Sequence, residues 1–208
     1  ENPYKNSSNL DQDVYDNMYF GSNISLVKNG EYGENSVLAV SYPDQYLFIY
    51  TFISTSEGLQ WELCSINNGG NTSTNNFLNK VTNTINSEEL SNWGSTLSIV
   101  GSGSHYFLTV GCPNSYNDDD DDAVENCGYV IYDLNIDQTN QTYSLLNTYN
   151  NSYSNISYRI GFSLSSFYKS LNNGYDFRVV VGAPKATFTN NSGISYINCG
   201  SIYINTIT

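Results

Sequence analysis

The densest charge in this chain is the run Asp118–Asp122, flanked by Asn117 and Glu125. Carboxylate and amide oxygens at that density are the ligands that calcium takes. Asp118, Asp119 and Asp120 would be the heart of such a site. Against this, strand-like alternation points successive carboxylates apart, and five adjacent negative charges repel one another and prefer water. The bland alternative is a solvated loop tip. Cys112 and Cys127 bracket the run, so a Cys112–Cys127 disulfide would hold that loop. A Cys64–Cys199 bridge then follows by elimination. Four cysteines with no Cys-x-x-Cys pair argue against zinc and for disulfides.

His105 is the single histidine. A Ser–His–Asp arrangement needs a marked nucleophile, and there is no Gly-x-Ser-x-Gly elbow. A structural or surface histidine is therefore expected, with no catalytic residue and no enzyme activity. Glycosidase carboxylate pairs are set in space rather than by spacing, which leaves a hydrolase as a third reading. Asn-x-Ser/Thr sequons occur at Asn6, Asn23, Asn71, Asn140, Asn150, Asn155 and Asn190. A chain with 31 Asn, 28 Ser and 15 Thr makes some of these by chance. Together with the cysteines they predict an oxidising, extracellular setting and N-linked glycans. Residues 1–16 are polar and carry no leader signature, so secretion is argued from these features instead.

The composition excludes several classes. The chain has 208 residues and a net charge of −13, yet only 13% of its residues are charged. Seven basic residues are too few to neutralise nucleic-acid phosphates. No apolar run approaches the ~18 residues that a membrane-spanning helix needs. Hydrophobic residues at 39% and aromatics at 14% can build a core, which argues against disorder. Asn, Ser, Thr, Gly and Tyr are weak helix formers.

The elements that must position these residues are strands. Ser36–Tyr42, Tyr46–Phe52, Leu59–Cys64, Tyr106–Val110, Tyr129–Tyr132 and Phe177–Val181 are rich in β-branched and aromatic residues and bounded by Gly, Asn and Pro. Only 76–90 has helical character, and it is polar. The nineteen tyrosines fit core packing with a hydroxyl reaching the surface, or exposed rings for sugars or protein partners. An all-β protein follows.

The strands repeat. Tyr19-Phe20-Gly21-Ser22, Trp93-Gly94-Ser95 and Ile160-Gly161-Phe162-Ser163 open three units. Leu38–Pro43, Leu108–Pro113 and Val179–Pro184 follow in the same order. A third strand begins Cys127-Gly128 in one unit and Cys199-Gly200 in another. A fourth strand is expected at Leu59–Cys64 and Thr142–Leu146, and none in the third unit. Each unit reads as a small antiparallel meander of about four strands that must stack on its neighbours to bury both faces.

These residues resemble the FG-GAP repeat, the unit of integrin α-subunit β-propellers. The likeness is best at Gly161-Phe162-Ser163, Asn172-Asn173-Gly174-Tyr175-Asp176, Val179–Pro184 and Gly200–Ile204. It implies blades of an open or incomplete β-propeller, because FG-GAP propellers usually have seven blades and this chain has about three. The units are expected at 18–66, 91–148 and 158–208, within one repeat domain over 18–208. Residues 1–17 form an N-terminal segment suited to donate a strand. The family often carries a calcium loop between its first two strands. The matching positions are Asn172, Asn173 and Asp176, with Ser170 and Arg178 standing where acids are usual. In the first unit they are Asn29, Glu31 and Glu34, and in the second Val100–His105 holds no carboxylate.

The resulting expectation is an extracellular glycosylated structural or adhesion protein. It would build a surface assembly or fibre with other protein subunits, including copies of itself. The alternative is a carbohydrate- or ligand-binding propeller module with a cation-binding loop, calcium being the one cofactor in view. No nucleic-acid partner and no membrane insertion are expected.

Overall fold

The computed structural model describes residues 20–30, 33, 35–43, 46–68, 71–72, 77–79, 92–113, 127–153 and 159–208. Among them are sixteen strands and no helix, so the all-β expectation holds.

The first sheet is a meander of β1 (Asn23–Val27), β2 (Val37–Tyr42), β3 (Tyr46–Thr55) and β4 (Gly58–Leu63). Each strand is antiparallel to the next, with Ser41 opposite both Asn23 and Leu47. The chain then makes β5 (Ser65–Asn68) and β6 (Asn71–Thr72), and returns as β7 (Leu78–Asn79) to pair with β3 at Tyr46 and Leu47. Leu78 and Asn79 are thus extended; most of the polar 76–90 stretch lies outside the described residues.

The second sheet is the meander β8 (Thr96–Ser102), β9 (His105–Cys112), β10 (Cys127–Asp137) and β11 (Thr142–Tyr153). Its outer edge is extended by β5, which runs parallel to β11 with Ser65 opposite Thr142 and Ile66 opposite Tyr143. The strand that leaves the first sheet is therefore built into the second. The first unit, expected to end at about residue 66, thus gives Ser65 and Ile66 to the neighbouring sheet.

The third sheet has three strands, β12 (Ser163–Leu171), β13 (Gly174–Ala183) and β16 (Ser201–Ile207). Between the last two lies a small hairpin of β14 (Phe188–Thr189) and β15 (Ser195–Tyr196). None of the sheets closes on itself.

Side-chain alternation explains why the sheets stack. On β9, Tyr106, Leu108 and Val110 face the first sheet and join Val37, Ala39, Leu47 and Ile49 in one core. Phe107, one residue out of phase, faces the third sheet and joins Ile131, Phe177, Val179 and Val181 in another. The middle sheet is apolar on both faces, which an antiparallel sheet needs only when covered twice. The rings of Phe107 and Phe177 stack across the second boundary at 4.3 Å. A third, aromatic cluster of Val40, Tyr42 and Phe48 with Phe20 and Phe77 lies on the far side of the first sheet. Tyr106, Tyr129, Tyr132 and Tyr143 are buried, so these four serve packing rather than ring stacking at the surface.

Candidate functional site

The unit-opening glycines build the joints between sheets. Gly21, Gly94 and Gly161 all have positive φ, at 82°, 89° and 94°. Only glycine adopts this region without strain. In each unit the glycine amide donates back to the second strand of its own sheet: Gly21 to Ser41, Gly94 to Gly111 and Gly161 to Gly182, at 3.0, 3.1 and 3.2 Å. The turn thereby places the glycine against the preceding sheet. A methyl on Gly94 would lie 3.3 Å from the Ser41 Cβ and 3.5 Å from the Pro43 Cα. A methyl on Gly161 would overlap the Gly128 carbonyl oxygen and crowd the Cys112 amide. The second sheet thus seats on the first, and the third on the second, through one repeated device.

The register defines equivalent positions along the units. Ser41, Gly111 and Gly182 each lie opposite the residue that starts one face of the third strand: Leu47, Tyr129 and Ile202. The Cys-Gly match in sequence is one residue out of step with this, because Gly128 pairs with Cys112 but Ser201, not Gly200, pairs with Ala183.

These positions are covered twice and bare once. Ala39, Leu47 and Ile49 are buried under the second sheet, and Thr109, Tyr129 and Ile131 under the third. Their counterparts Val180, Ile202 and Ile204 are 39%, 68% and 66% exposed. Phe162 and Phe167 on the same side are also exposed. A shallow groove lined by Phe162, Ser163, Gly182, Pro184, Gly200 and Ile202 marks the spot where the first two sheets receive a glycine. The edge too lacks a described neighbour. In the first two sheets the third strand is flanked by β4 or β11, whereas β16 has β13 on one side and no described strand on the other.

Of the metal positions suggested by sequence, Asn29, Asn172, Asn173 and Asp176 are described. The Asp176 carboxylate accepts from Arg178 Nε at 2.9 Å and from Nη2 at 2.8 Å. That guanidinium holds the Asp176 carboxyl below its ordinary range. Asn172 and Asn173 form the exposed two-residue turn between β12 and β13. Asp118, Asp119 and Asp120 lie outside the described residues, as do Glu31 and Glu34. Among the described residues no group of three His, Cys, Asp or Glu side chains comes together.

The cysteines differ from expectation in one respect. Cys64 is buried in the first core, and its thiol donates to Thr51 Oγ1 at 3.6 Å. Cys199 is exposed and donates to the Ala186 carbonyl at 3.4 Å. Both are free thiols, so the Cys64–Cys199 bridge inferred by elimination is not formed. Cys64 lies in the core between the first and second sheets, whereas Cys199 lies on the exposed stretch after β15 of the third unit. Cys112 is buried; the side chain of Cys127 lies outside the described residues.

Of the sequons, Asn6 and Asn155 lie outside the described residues, and Asn71 is described through the backbone of β6 alone. Asn140 and Asn150 are exposed, in the β10–β11 turn and on β11. Asn23 begins β1 half-buried. Asn190 is half-buried, and its Oδ1 accepts from the Ser192 and Ile194 amides at 3.0 Å each.

Sequence reading missed one polar pair. His105 Nε2 lies 2.6 Å from Asp133 Oδ1, and Asp133 is 6% exposed. Rings of Phe107 and Tyr175 flank the imidazole at 4.9 and 4.7 Å. The pair sits at the boundary of the second and third sheets, where it satisfies a buried carboxylate. Only the β9–β10 register brings the two together.

Compared with protein-family models the chain matches none, and a search of curated proteins finds no relative in sequence.

Proposed function

We propose that this chain is an extracellular, N-glycosylated structural or adhesion protein. It builds a surface assembly or fibre through strand and sheet-face contacts, its sheets being blades of an open, FG-GAP-like propeller. The observation that carries this reading is the third sheet, whose apolar outer face and β16 edge both lack a described partner. Contiguous exposed apolar surface is the mark of an interaction site. An open strand edge is a template for a strand from another segment. Residues 1–16 are the segment we assign to that edge, from the same chain or a neighbour.

Sedimentation velocity over a range of protein concentrations tests the reading. The intact chain is expected to self-associate, and a chain lacking residues 1–16 to keep its β circular dichroism while losing the oligomer. An intact chain that stays monomeric at every concentration overturns the proposal. Intact mass before and after removal of N-glycans tests the extracellular setting.

A further inference from the structure

We infer that the open face of the third sheet receives the first sheet of a second copy of this chain, by the device that already joins the sheets within one copy. This inference rests on the reading of the chain as an assembling protein and names the partner of its open face.

The receiving side is the row Val180, Gly182, Ile202 and Ile204. Its counterparts are buried beneath a following sheet in both other units. What covers them is the same each time: a glycine with positive φ, then an apolar residue three positions on. Gly94 is followed by Leu97, and Gly161 by Leu164. Leu97 packs against the core under the second sheet and Leu164 against the core under the third.

The inserting strand is β1, at the other end of the molecule: among the described residues no sheet lies over it, while Val40, Tyr42 and Phe48 beside it are covered by Phe20 and Phe77. Gly21 is the counterpart of Gly94 and Gly161, yet a methyl built on it would meet nothing within 4 Å. Ile24 and Leu26 are the counterparts of Leu97 and Ile99. Leu97 is half-buried and Ile99 is 3% exposed, whereas Ile24 and Leu26 are 66% and 56% exposed. One polar position repeats too. Ser25 Oγ accepts from the Ile99 amide at 3.0 Å across the first boundary. Its counterpart on the third sheet, Ser165, is exposed.

So among the described residues one socket and one insert of the same repeat are unfilled, on different sheets. A contact between them is heterologous, and copies add head to tail. Such a contact gives a ring if the rotation closes and a filament if it does not.

Complementation by two variants tests this. Ile202→Lys with Ile204→Lys blocks the socket, and Ile24→Lys with Leu26→Lys blocks the insert. All four side chains are exposed, so the charges enter no core. The matching serine pairs serve if a lysine pair fails to fold by circular dichroism. In sedimentation velocity the wild type is expected to form oligomers and each variant alone to be a monomer. An equimolar mixture is expected to give a two-chain species, since one intact socket then meets one intact insert. If the wild type is itself monomeric, the assembly reading fails and this inference with it. If the wild type assembles but the variants also assemble, or the mixture stays monomeric, the inference is overturned while the assembly reading stands.

Discussion

Thr96 reaches across the boundary between the second and third sheets and donates its hydroxyl proton to the Gly161 carbonyl oxygen, at 2.7 Å. The contact is made over the face of Gly111, where a Cβ would overlap both the Thr96 hydroxyl and the Gly161 oxygen. Gly111→Ala is therefore expected to push the sheets apart and cost about 1–3 kcal/mol, as overpacking does. At the equivalent Gly182 the nearest obstacle is the Ser163 hydroxyl, which can rotate away. Gly182→Ala should stay within about 0.5 kcal/mol, as surface changes do. Urea denaturation of both variants checks the contrast; equal losses would mean that the joint is not what constrains Gly111.

The His105–Asp133 pair should matter to the same boundary. Asp133→Ala leaves the imidazole without its partner and removes a buried hydrogen bond, for an expected loss of about 1–3 kcal/mol. Asp133→Asn keeps the shape and an acceptor oxygen and should lose less. Chemical denaturation followed by tyrosine and tryptophan fluorescence measures both; an unchanged midpoint for Asp133→Ala would show the pair to be idle.

High pH should destabilise the fold before it exhausts the buried groups. Burial pushes the Cys64 thiol up to about 11. It pushes Tyr106 up to about 12 although Gln138 and Asn29 both donate to its hydroxyl. Tyr132 and Tyr143 are raised further by the same cause. A raised native value means the folded state keeps protons that the unfolded chain releases. This stability is complete below about pH 9, the ordinary range of a thiol, and is lost as pH climbs through 11 and 12. Denaturation midpoints measured from pH 7 to 12 should be level at first and then fall; a level profile throughout would contradict the burial.

Thiol labelling separates the cysteines. Cys199 is exposed and should react in the folded protein, whereas Cys64 is fully buried and should react only after unfolding. Mass spectrometry of alkylated peptides reads this directly. Protection of both residues under native and denaturing conditions without reductant would restore the bridge between them.

Much of the architecture is legible in the residues. Phe177–Val181 lies inside β13 because β-branched and aromatic side chains suit a pleated, half-buried surface. The glycine openings are visible because a positive φ admits few residues other than glycine, and the three units reuse it at Gly21, Gly94 and Gly161. What the sequence hides is pairing between distant residues. The β5–β11 contact spans the whole second unit and has no local signature. Asp133 finds His105 through register, and nothing in either residue's neighbours announces it. Asp176 reads in sequence as a cation ligand, and that Arg178, two residues on and so on the same side of β13, donates to both its oxygens is seen only in the structure. Cys64 pairs with Cys199 only by counting, and counting is blind to which thiol is inside the core.

The parallel pairing of Ser65 with Thr142 bears on how the chain emerges during synthesis. The first sheet can form as soon as its own strands are made, but β5, held only by its short pairing with β6, must wait until β11 has left the ribosome. Through that interval the half-made chain exposes the apolar face that will meet the second sheet. Domains of such topology fold slowly and expose aggregation-prone edges meanwhile. A nascent chain of this kind would gain from a folding helper during that window.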